Sequence, residues 1–116
     1  LTGEVKEVKM PRINNAFLAW LAAEMILVAV GWQLRDSLSG ALALGAAVLH
    51  LLSWLVWRRA GKLNGLAVLF WIGGMIAGLA STYFLYANGA VLAPLFLVAL
   101  ATGFLGGTTF AWLIKK

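Results

Sequence analysis

The sequence predicts an all-α integral membrane bundle of four transmembrane helices, with both termini on the cytoplasmic side. Composition, spacing and charge lead there. The 116-residue chain is 63% hydrophobic and 11% charged, with a mean hydropathy of +0.94. A soluble domain of this length needs a polar face on each element, and this composition does not supply one. The apolar residues fall in four runs with short polar breaks, and the basic residues gather at alternate breaks.

The runs cover about residues 16–34, 40–57, 66–86 and 90–114, behind a charged segment, residues 1–15. Each is near the ~20 residues that cross a hydrocarbon core of ~30 Å. A helix satisfies its own backbone hydrogen bonds, which lipid cannot do, so the spans are helices within one domain, residues 16–116. The breaks RDSLSG, RRAGKLNG and ANG each carry Gly with Asn, Asp or Ser, where the chain must turn. The first apolar core runs on to Leu34 with three spans behind it, which reads as a retained helix rather than a cleaved signal.

Lys6, Lys9, Arg12, Arg58, Arg59, Lys62, Lys115 and Lys116 fall on one side of such a bundle, and Arg35, beside Asp36, on the other. Basic residues stay on the cytoplasmic side, so both termini are expected inside, in a bacterial inner membrane. The net charge of +5 lies at helix ends, which suits anionic lipid headgroups rather than nucleic acid. Trp20, Trp32, Trp57, Tyr83 and Tyr86 lie near span ends, as interfacial aromatics do. There is no cysteine, no histidine cluster, no phosphate or dinucleotide loop and no nucleophile triad. No enzymatic role, metal or required cofactor is expected.

Membrane helices associate through close packing at small residues. The fourth span carries Ala99, Gly103, Gly107 and Ala111 at spacings of four. The third carries Gly74, Gly78 and Thr82, and the second Ser39, Ala43 and Ala47. Each set shares one helix face. Such a stripe serves the bundle itself or docks another membrane subunit, and the fourth span is the stronger candidate for docking.

Two ionisable residues lie within the spans. Glu24 is ~12 Å into the first helix and His50 ~10 Å from the same face on the second, at 1.5 Å per residue. Their matching depth on sequential antiparallel helices makes a Glu24–His50 pair a candidate. It is either a structural latch or a proton or cation site, since a carboxyl in lipid must be paired or neutralised and is a functional candidate by default.

Four resemblances add to this. Glu24 after Ala22–Ala23, then GLAVLFWIG with Gly65, Ala67, Trp71 and Gly73, and then Pro94, resemble small multidrug resistance transporters. That likeness implies Glu24 as the shared proton and cation site and Trp71 on the substrate path. Val68 stands where that family has an aromatic, no proline precedes Gly65, and the family has little charge bias. The stretch SLSGALALGAAVLHLLSWLVWRR, followed by two helices, resembles ATP synthase protein I in outline. The part AVLHLLSWLVWRR, with His50, Trp54, Trp57 and Arg58, resembles the helix of light-harvesting β polypeptides, which implies a pigment or one face of a haem on His50. A buried histidine that ligates nothing is the commoner case. TGFLGGTTF resembles the helix break of small fluoride channels, but lies in the fourth helix rather than the third and lacks their membrane asparagine.

The favoured reading is a non-enzymatic accessory subunit of a larger membrane complex, by outline an energy-transducing one, with a bound lipid possible. The alternative is a small proton-coupled cation or multidrug transporter with Glu24 as coupling site.

Overall fold

The computed structural model describes residues 15–61, 64–89 and 92–115. Lys6, Lys9, Arg12, Lys62, Lys116 and the expected start of the fourth span at Ala90 lie outside the described residues, as do residues 1–14 of the N-terminal segment. Four helices follow one another: α1 (Asn15–Gln33), α2 (Leu38–Ala60), α3 (Gly65–Ala87) and α4 (Leu92–Lys115). Three of them hold stretches long and apolar enough to cross a membrane: Leu38–Ala60, Gly65–Ala87 and Leu92–Trp112. The apolar part of α1, Phe17–Gln33, is shorter and has Glu24 near its middle. This is consistent with an integral membrane protein.

Local chemistry sets the helix ends. Ser37 caps α2 by accepting the Gly40 amide at 3.1 Å, and Asn64 caps α3 by accepting the Leu66 amide at 2.8 Å. These bonds satisfy orphan amides of the first turn. Gly61 ends α2 in the left-handed region, at φ 72°, and its amide returns to the Trp57 carbonyl. A residue with a Cβ enters that region only at a cost. Pro94 falls in the first turn of α4, where its missing amide breaks no helical bond.

The helices form a four-cornered bundle. Neighbours in sequence touch, α4 closes against α1, and α2 reaches α4 across the middle. Among the described residues α1 and α3 stand at opposite corners without contact. The core is built from small side chains: Ala23 of α1, Ala43, Ala46 and Ala47 of α2, Ala67 of α3 and Ala101 of α4. Leu27, Val98 and Leu105 fill the remainder. The large apolar side chains point outward instead, Met25, Leu69, Ile76 and Phe96 among them. Water would penalise that surface, whereas hydrocarbon is its natural solvent.

Cross-helix hydrogen bonds tie the bundle at several levels. Ser53 Oγ donates to the Ala67 carbonyl at 2.7 Å, and Ser81 Oγ donates to the Ser39 carbonyl at 2.6 Å. They join α2 to α3 near both ends of the pair. Trp71 Nε1 donates to the Gly106 carbonyl at 2.9 Å and ties α3 to α4.

At the end where α1 begins, an aromatic cluster joins three helices. The rings of Phe17, Trp20, Trp54 and Trp112 all lie within 6.3 Å of one another, and Trp57 stacks on Trp112 at 5.9 Å. Trp20 is therefore not the interfacial anchor that its place near a span end suggests. It is 3% exposed, and its indole N–H is satisfied inside the bundle by Thr109 Oγ1 at 3.1 Å. Trp57 is half-buried, while Trp32, Tyr83 and Tyr86 lie exposed on the surface.

Candidate functional site

The arrangement around Glu24 starts from helix spacing. Trp20, Glu24, Leu27 and Gly31 follow one stripe of α1. Trp20 meets Trp54 at one end of it, and at the other a Cβ on Gly31 would meet Leu44 at 2.7 Å. Glu24 thus lies on the face of α1 turned to α2, level with His50 and Leu51. The expected common depth of Glu24 and His50 is present. The expected pair is not: Glu24 Oε1 is buried without a hydrogen-bond partner, and so are both ring nitrogens of His50.

The physical reason is rotational position on α2. His50 is one step of ~100° round the helix from Leu51. Its ring turns to α3, where a Cβ on Gly74 would lie 2.9 Å from Nε2. The residue is fully enclosed. Trp71 contributes the facing backbone carbonyl, short of full hydrogen-bond geometry. A pigment on His50 would require α2 and α3 to part. Among the described residues no three acidic or histidine side chains gather as a metal site.

One turn along α3 from Gly74, Gly78 receives Thr102 of α4 in the same way: a Cβ there would overlap the threonine hydroxyl. Gly106 of α4 makes the converse contact, receiving Met75 of α3. The expected stripe on α3 therefore works inside the bundle through Gly74 and Gly78. Thr82 is half-buried and returns its hydroxyl to the Gly78 carbonyl of its own helix at 3.0 Å. Ser39, Ala43 and Ala47 of α2 are likewise internal. Trp71, expected on a substrate path, is held by the Gly106 carbonyl and lies 5.2 Å from the ring of Phe110.

The α4 stripe behaves oppositely. Ala99, Gly103, Gly107 and Ala111 are all exposed, and a Cβ on Gly103 or Gly107 would meet nothing within 4 Å. The inward face of α4 is Val98, Ala101, Thr102, Leu105 and Thr109. On the outer face, Ala99, Leu100, Gly103 and Phe104 line a notch of about 270 Å³. An apolar furrow of about 380 Å³ between α3 and α4 shares Ala99 and is bordered by Tyr83, Tyr86 and Phe96.

Sequence reasoning missed Thr102, Gly106 and Thr109. Thr102, Gly106 and Thr109 follow one another at spacings of four and three, so a second polar and small stripe was readable on α4. It was masked by the more regular one on the other face. No family model matches the chain, and no curated protein or solved structure is detectably similar to it.

Proposed function

We propose that this chain is a non-enzymatic accessory subunit of a larger membrane complex, held there by the outer face of α4. One observation carries the reading. The stripe Ala99, Gly103, Gly107 and Ala111 faces away from the bundle, while Ser39, Ala43 and Ala47 of α2 and Gly74 and Gly78 of α3 are buried inside it. Helices in lipid gain little from burying apolar surface against one another, so close approach at small residues is the main source of affinity. The notch at Ala99 and Gly103, walled by Leu100 and Phe104, offers a groove for a ridge on a partner helix. The basic bias toward one side supports cytoplasmic termini in a bacterial inner membrane, and the outline likeness to ATP synthase protein I favours an energy-transducing complex.

The test is Gly103→Leu. The added side chain meets open space in the chain itself, so the subunit folds, but the groove is filled. Native mass spectrometry after extraction in a mild detergent is expected to find wild type in an assembly of fixed stoichiometry and the variant alone. Retention of the variant at full stoichiometry would sink the docking role of this face.

The second reading, a small cation or multidrug transporter, is favoured by the unpartnered Glu24 Oε1. It predicts that Glu24→Gln abolishes transport in proteoliposomes while the protein still folds. Undiminished transport in that variant removes Glu24 as a coupling site.

A further inference from the structure

At the centre of the bundle, two fully buried polar side chains from different helices lack partners. His50 of α2 is 0% exposed and Thr102 of α4 is 1% exposed. Neither imidazole nitrogen nor Thr102 Oγ1 has a hydrogen bond. Thr102 is the exception among the described serines and threonines. Thr82 and Thr108 bond carbonyls of their own helices, Ser53 and Ser81 bond across helices, Ser37 and Ser39 pair, and Thr109 accepts from Trp20. A helical threonine ordinarily returns its hydroxyl to a carbonyl of the preceding turn. Thr102 is instead pressed into the space over Gly78, with its oxygen turned to α3.

Leaving such groups unpaired costs about 1–3 kcal/mol each, and buried polar groups in native proteins are nearly always satisfied by protein or by ordered water. His50 and Thr102 lie over Gly74 and Gly78 of the same α3 face, one turn apart. The two glycine positions themselves are about 6 Å apart along α3. A single water accepting or donating at ~2.8 Å on each side spans nearly that distance. The Trp71 carbonyl faces the imidazole short of full hydrogen-bond geometry and can serve one ring nitrogen at most, which leaves the other nitrogen and the Thr102 hydroxyl for a water.

We propose that His50 and Thr102 form a binding site for one buried water, seated along α3 between Gly74 and Gly78. The water closes a hydrogen-bonded link from α2 to α4 over the α3 glycines. It takes the place of the Glu24–His50 latch and fixes the register of three helices at once. The site does not depend on what covers α4.

His50 is the one histidine of the chain, so nitrogen-15 labelling of histidine yields a single imidazole signal. The test is solid-state NMR of the full chain in lipid bilayers, read through magnetisation transfer from water protons to that imidazole. Wild type is expected to show the transfer. Thr102→Val, which keeps the shape but removes the hydroxyl, is expected to lose most of it and shift an imidazole nitrogen toward the non-bonded range. Thr102→Ser is expected to retain both. No water transfer in wild type overturns the proposal, with no variant required. Transfer equally strong in Thr102→Val overturns it as well.

Discussion

Replacing Gly78 by alanine is expected to destabilise the bundle, whereas the same replacement at Gly103 is expected not to. A methyl on Gly78 would stand 3.0 Å from the Thr102 Cβ and overlap that residue's Oγ1 and Cγ2. Carbon atoms in contact prefer about 3.5–4.0 Å. Either Thr102 rotates or α3 and α4 separate by roughly 1 Å. Rotation is opposed, because a β-branched side chain has few χ1 options and this one is enclosed. A gap of ~1 Å forfeits up to about half of each affected dispersion contact, and packing is most of what holds helices together in lipid. The expected loss is about 1–3 kcal/mol, the range for overpacking a filled site. At Gly103 the same methyl meets nothing within 4 Å, so no packing is lost and the change should be neutral or stabilising by up to about 1 kcal/mol through helix propensity. Both substitutions exchange glycine for alanine in a helix interior, Gly78 in α3 and Gly103 in α4, so the difference in helix propensity cancels between them. Reversible unfolding in mixed micelles of mild detergent and dodecyl sulfate measures the two variants together. Equal destabilisation at both positions, or none at Gly78, would refute the assignment of inner and outer faces.

Trp20→Phe keeps a ring in the aromatic cluster but removes the N–H that Thr109 accepts. The expected cost is about 1 kcal/mol, and a double-mutant cycle with Thr109→Val should return most of it as coupling. Ser53→Ala and Ser81→Ala each remove one α2–α3 hydrogen bond, at about 0.6 kcal/mol and up to ~1.7 kcal/mol. The sites lie roughly 20 Å apart along the bundle, so the double variant should be additive in the same unfolding assay. A marked excess would mean that the two bonds form as one unit.

The helices were legible because hydropathy and turn chemistry act along the chain. Expected spans of about 40–57 and 66–86 correspond to α2 at Leu38–Ala60 and α3 at Gly65–Ala87. The few extra residues are apolar-poor ends closed by Ser37, Gly61 and Asn64. The depth of Glu24 and His50 was also legible, since rise per residue fixes it. Which way each side chain turns was not. In a soluble helix the polar face marks the outside, but both faces of α4 are apolar or small, so spacing groups Ala99, Gly103, Gly107 and Ala111 without saying where they point. The same ambiguity hid His50's turn toward Gly74. Trp20 shows a further limit: an aromatic near a span end has two uses for its polar tip, headgroup water or a buried hydroxyl. The hydroxyl of Thr109 lies 89 residues away in sequence.

The aromatic cluster also divides the chain's indoles into one coupled group and two that stand apart from it, Trp32 and Trp71. Four of the six tryptophans, Trp20, Trp54, Trp57 and Trp112, belong to it, with ring contacts of 5.5–6.1 Å among them. At such separations excited states are shared, so these indoles act as one chromophore with a coupled near-ultraviolet dichroism. Trp32, 60% exposed at the opposite end of α1 beneath the Arg35 guanidinium, absorbs and emits alone. A quencher carried on lipid tails reaches Trp32 and is shut out from Trp20. With Trp71 replaced by phenylalanine, the molecule carries an optical label at each end, and loosening of one end can be followed separately from loosening of the other without attaching a dye.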